Sequence, residues 1–103
     1  MPTVSVSVPH DHSPEDIVKR AEPLMEKLVS DFEGKDLEMN WNGNNADFHF
    51  KSLAFTIKGR VAVDEEKIAV DVDLPFAAMM FKDKVQKGLT KALTRAVNDE
   101  PTA

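Results

Sequence analysis

"FTIKGRVAVDEEKIAVDVDL", residues 55 to 74, decides the fold of this chain. Apolar side chains fall at alternate places, Phe55, Ile57, Val61 and Val63, then Ile68, Val70, Val72 and Leu74, which is the period of half-buried strands. A turn centred on Glu65-Glu66 sets Asp64 opposite Lys67, Arg60 opposite Asp71 and Lys58 opposite Asp73. One register thus makes three opposite-charge pairs on a single outer face. The stretch reads as an antiparallel hairpin with one apolar and one charged face. Gly59 interrupts the apolar row, and the expectation is that it leaves room there for a helix to approach.

Upstream the same period continues. Leu37, Met39 and Trp41 share one face, and a two-residue turn at Gly43-Asn44, closed by Asn42 and Asn45, sets Met39 opposite Phe48 and Leu37 opposite Phe50. A connection near Ser52-Leu53 joins this hairpin to the next, giving a four-stranded meander over residues 36 to 74. At the N-terminus, valines 4, 6 and 8 alternate with serines 5 and 7 in a further strand that Pro9 ends. Ser13 then suits an N-cap, Pro14 the first helical position and Asp16 the third, where a carboxylate can reach back to the cap. The helix they open buries Ile17, Ala21, Leu24, Leu28, Val18, Met25, Val29 and Phe32. Gly34 is expected to stop it, and Pro23 to bend it on the solvent side without breaking it. After Pro75, Phe81, Val85, Leu89, Ala92, Leu93 and Ala96 recur at helical spacing to about Asn98. The fold class is therefore α+β, in the order strand, helix, four-stranded antiparallel meander, helix, with one sheet and two helices packed on one of its faces. Residues 1–98 read as a single domain and 99–103 as a flexible tail.

Composition narrows function mainly by exclusion. A chain of 103 residues, 42% hydrophobic, has room for one core and little for a buried active-site cavity. A net charge of −5 argues against nucleic acid and anionic membranes as general partners. No cysteine is present, so a thiolate nucleophile, a disulfide and sulfur-ligated zinc are ruled out. "MPTVSVSV" has neither the charged nor the apolar region of a signal peptide, and no apolar run approaches the length of a membrane span; the expected location is the cytoplasm.

His10, Asp11 and His12, with His49 from a strand, raise the question of a metal site. Specific zinc motifs carry helical ligands at i and i+4 or a paired C-x-x-C, and neither occurs here. The three residues read instead as an exposed strand-to-helix connection, and neither a metal nor a cofactor is expected. No G-x-S-x-G elbow or glycine-rich phosphate loop is present, and Asp71 and Asp73 belong to the charge-paired outer face, so no catalytic residue is expected. Trp41, Phe48 and Phe55, at strand spacing, read first as core and second as the lining of a small apolar cup. As core, Trp41→Ala should cost about 3–5 kcal/mol.

The most distinctive surface is on the last helix. Lys84, Lys87, Lys91 and Arg95 form a stripe opposite its core positions, which Phe76 and Met80, with Met79 beside them, extend as apolar residues toward its start. Residues 81 to 98 hold five basic and one acidic residue, whereas residues 11 to 40 hold nine acidic and four basic. Phe76, Met80, Lys84, Lys87 and Lys91 are the candidate interaction face, since exposed apolar residues beside lysines are what interfacial helices use.

Several segments together resemble a known family. These are Pro9-His10 before the first helix, Trp41-x-Gly43 with Phe48 and Phe50 after it, Gly59, and V-D-V-x-L-P-F over residues 70 to 76, followed by a basic helix. Over nearly its whole length the chain resembles the small bacterial proteins of the polyhydroxyalkanoic acid system. The resemblance implies an accessory or regulatory part in polyester granule biology in the cytoplasm, with the granule surface or a granule-associated protein as partner. It carries no enzymatic residue over and leaves self-association open. That family's pattern often has a proline near the place of Met80, which implies that the regular part of the last helix begins later than Pro75. The reading from another class is a domain binding a small apolar ligand or lipid in the cup around Trp41, Phe48 and Phe55.

Overall fold

The computed structural model describes residues 3–52 and 55–98. They form β1 (Thr3–Pro9), α1 (Pro14–Asp31), β2 (Gly34–Asn42), β3 (Asn45–Ser52), β4 (Phe55–Val63), β5 (Lys67–Asp73), a 3-10 helix (Phe76–Phe81) and α2 (Lys82–Asn98). Leu53, in the expected middle connection, and the expected tail after Asn98 lie outside the described residues.

All five strands form one antiparallel sheet in the order β1-β5-β4-β3-β2. The hairpin register expected from charge is present: Arg60 faces Asp71 and Lys58 faces Asp73. Arg60 nevertheless directs its guanidinium diagonally, bonding both Asp73 oxygens at 3.1 and 3.3 Å, and approaches Asp71 only to 4.0 Å. The meander adds β1 at its edge, where Val4, Val6 and Val8 face Val72, Val70 and Ile68. On the opposite edge Met39 faces Phe48 as expected, and Gly43 takes a positive φ of 64° in the tight turn. Leu37 does not pair simply with Phe50. Lys35 faces Lys51 and Glu38 faces His49, so residues 36 and 37 bulge against the single Phe50, with Asp36 in the left-handed region at φ 59°.

α1 begins as its sequence dictates, with the Asp16 N–H donating to Ser13 Oγ at 3.2 Å. It continues unbroken through the exposed Pro23. Its end differs from expectation. The helix stops at Asp31, and Glu33, not Gly34, takes the left-handed conformation, at φ 56°. Gly34 is needed for proximity: a Cβ there would lie 2.8 Å from Val29 Cγ1 and 2.9 Å from Phe50 Cδ2. Gly59 works similarly, but its neighbour is the ring of its cross-strand partner Phe48 and not a helix; an added Cβ would overlap that ring and the Asp71 carbonyl.

Both helices cover one sheet face. The core joins Ile17, Met25, Leu28, Phe48, Val61, Ile68, Val70, Leu89 and Leu93, each worth about 1.5–3 kcal/mol of burial for a large apolar side chain. Trp41 is only half-buried, on edge strand β2. The other sheet face carries the charged pairs, with Thr3 Oγ1 donating to Asp73 at 2.9 Å and His49 Nε2 lying 2.6 Å from Glu38.

Candidate functional site

Leu74 is buried and Pro75 cannot continue a sheet ladder, so the chain leaves the sheet there at a defined point. The next segment, "FAAMMF", winds as a 3-10 helix, started by the Ala78 N–H on Pro75 O at 2.9 Å. Three residues per turn align i with i+3. Ala78 and Phe81 therefore share the inward row, while Phe76, Met79 and Met80 point outward. Fractional exposures are 73% at Phe76, 43% at Met79, 82% at Met80 and 37% at Phe81. Among the described residues these four are the exposed large apolar side chains, and all lie within six consecutive positions. The α-helix expected from Pro75 thus begins regularly only at Lys82, and Phe81, expected in its core stripe, is instead partly exposed beside a cavity.

α2 then buries Leu89, Leu93 and Val97 and presents Lys82, Lys84, Lys87 and Lys91 to solvent. Among the described residues none of these four lysines makes an ion pair. Phe76 and Met80 therefore stand immediately before a run of lysines that, among the described residues, form no ion pair.

Behind the 3-10 helix is a cavity of about 250 Å³. Phe32, Phe50, Phe55 and Phe81, four of the chain's six phenylalanines, line it with Leu28, Val72 and Val85. Asp31, Glu33 and Lys84 are exposed at its mouth. Ser52 also borders it, its hydroxyl proton committed to Phe32 O at 2.7 Å. Of the cup residues Trp41, Phe48 and Phe55, only Phe55 touches this space; Phe48 is fully enclosed in the core and Trp41 lies elsewhere on the sheet. From sequence only Phe55 of the four lining phenylalanines is placed in a cup; Phe32 and Phe81 read as helix core and Phe50 as a strand pair of Leu37. Their convergence depends on the end of α1 meeting the 3-10 helix, which strand spacing does not report.

The histidines have structural work. His10, expected exposed, is 7% exposed. Its Nδ1 accepts from the His12 N–H at 3.1 Å, so Nε2 carries the proton and donates to Asp64 O at 2.7 Å. His10 N–H also bonds Glu66 O at 2.9 Å, so this residue clamps the β4–β5 turn from the other end of the chain. His12 Nε2 donates to Val97 O at 2.9 Å and Arg20 to Ala96 O at 2.8 Å, covering the last carbonyls of α2 with donors. Asp16 does not reach back to its cap; it bonds Arg20 at 3.0 Å and lies 3.6 Å from His12 Nδ1. His49 is on the outer face of the sheet with Glu38, and among the described residues no three potential ligands of a metal ion converge.

Two carboxylates are held below their usual range. Asp73 is lowered chiefly by its hydrogen bonds from Arg60, whose own pKa rises in turn. Asp64 is lowered by the backbone N–H groups of Glu66 and Lys67, both 2.8 Å from its Oδ1. Both carboxylates serve the outer face and the turn, away from the cavity. Among the described residues no helix is long and apolar enough to cross a membrane.

The family model described as "Putative polyhydroxyalkanoic acid system protein" matches residues 4–97. Among solved structures the chain is similar to TTHA0849 from Thermus thermophilus. That likeness has 13% identity and a TM-score of 0.41, and covers 93% of this chain and 94% of the other. The comparison with curated proteins gives no match.

Proposed function

The chain belongs to the polyhydroxyalkanoic acid system family, and from that premise we propose that it is a non-enzymatic accessory protein that settles on the polyester granule through its 3-10 helix. The observation that carries this is the gathering of Phe76, Met79, Met80 and Phe81 on one short turn, directly before Lys82, Lys84 and Lys87. A polymer of hydroxy acids offers apolar surface, ester oxygens and carboxylate chain ends. Inserted aromatic and thioether side chains would take the first, and lysine ammonium groups the rest. Burial of apolar area supplies the affinity, and the lysines set orientation and salt response, because exposed charges are screened over about 8 Å at physiological ionic strength. The cytoplasm, where such granules lie, is the corresponding location.

The test is co-sedimentation of the full chain with isolated granules. Phe76→Ser with Met80→Ser should weaken binding by at least about tenfold, the equivalent of 1.4 kcal/mol, with an unchanged urea midpoint. Lys84→Glu with Lys87→Glu should weaken it more at low salt than at high. Parent-like sedimentation by both folded double variants would reduce the turn to scaffold.

A further inference from the structure

The cavity behind the 3-10 helix is not what a core of this size makes by default. Packed domains leave few voids larger than a water molecule, whereas between α1, the sheet and the 3-10 helix this one holds an apolar pocket of about 250 Å³ that opens to solvent. We infer that this cavity is a binding site for a short, uncharged acyl ester, the aliphatic part lying among Phe32, Phe50, Phe55 and Phe81 and the ester group at the mouth beside Lys84.

Size sets the length. An engineered apolar cavity of about 150 Å³ accepts benzene, so in proportion this one accommodates about ten non-hydrogen atoms, below the range of drug-sized pockets. The mouth sets the chemistry. Asp31 and Glu33 outnumber Lys84 there, which disfavours a free carboxylate at the same position. The Ser52 proton is already given to Phe32 O, so Lys84 is the mouth residue with donors to spare. An ester, which has acceptors and no charge, matches that arrangement; a fatty acid anion does not. The identification of the ester class rests on the granule reading above, whereas the cavity, its aromatic lining and the mouth charges do not.

Methyl heptanoate, with ten non-hydrogen atoms, is the probe, and sodium heptanoate at pH 7 its charged counterpart. In a titration followed by amide chemical shifts, the ester should produce saturable changes centred on residues 50, 55, 72, 78, 81 and 85, and the anion should bind at least about tenfold more weakly. Ala78→Phe and, independently, Val85→Phe fill the space from two elements. Either one, if folded, should abolish the ester-induced changes. The inference falls if the ester gives no saturable shifts at the lining, if the shifts map elsewhere, if a folded filled variant binds like the parent, or if the anion binds as tightly as the ester. Granule sedimentation in parallel separates the two readings. Ester binding without sedimentation retires the surface contact alone, and sedimentation without ester binding retires the cavity site alone.

Discussion

At the scale of single residues, His10 shows how much a buried imidazole can organise when both nitrogens are used. Replacing it by Ala leaves Asp64 O and the His12 N–H without their partners in a part-buried place, so His10→Ala should cost about 1–3 kcal/mol, read as a drop in the urea midpoint. His12→Ala, which uncovers only Val97 O, should cost about 1 kcal/mol or less. Equal tolerance of both substitutions would mean that the connection is indeed no more than an exposed linker. The local part of this segment was legible: Ser13 caps the third helical residue as its position demands. The long-range part was not, because His10 bonds a carbonyl 54 positions away and His12 one 85 positions away, and no local pattern encodes such partners. Trp41 is the converse case. Its alternation with Met39 read as full core, but the edge position of β2 leaves it half-buried, and Trp41→Ala should cost about 2 kcal/mol, short of the range for enclosed aromatics.

At the scale of elements, the hairpin of β4 and β5 was readable because its register is specified twice, by alternation and by charge. Gly59 carries the least obvious part of that specification. In an open strand Gly→Ala is favourable by about 0.5–1 kcal/mol. Here the added methyl would meet the Phe48 ring and the Asp71 backbone, so Gly59→Ala should instead destabilise by about 2–3 kcal/mol in equilibrium unfolding. A neutral or stabilising result would mean that the Phe48 ring moves aside at little cost. The elements misjudged from sequence are those in which one residue leaves the regular period. Asp36 adopts a left-handed conformation that aspartate tolerates better than most residues, and one bulge shifts Leu37 off its expected partner. In "FAAMMF" a period of three replaces 3.6, which turns Phe81 toward the cavity while Phe76 and Met80 remain where the helical projection had put them, in solvent.

At the scale of the whole molecule, acidic surface on the first half faces solvent together with a basic last helix, and the charge-paired sheet face ties stability to pH. Asp73 and Asp64 have folded pKa values below those of the unfolded chain. The stabilisation they contribute is therefore fully present above the unfolded value of about 3.9 and is lost as pH falls through their lower folded values. Urea midpoints measured from pH 6 downward should hold level and then decline in that window, with a shallower decline in Asp73→Asn; a decline that the substitution leaves unchanged would place the acid sensitivity elsewhere. The pairing of β1 with β5 also fixes an order of events. Pro9 joins Lys67 and Thr3 joins Asp73, so β1, once synthesised, waits for 58 to 70 further residues before its ladder partner exists. At ribosomal speeds of about 5–20 residues per second that delay is roughly 3–14 s, far longer than hairpin formation. The meander can close hairpin by hairpin as it emerges, whereas the N-terminal strand must remain unpaired meanwhile, and its alternating serines keep that waiting segment from being a continuous apolar ribbon open to other nascent chains.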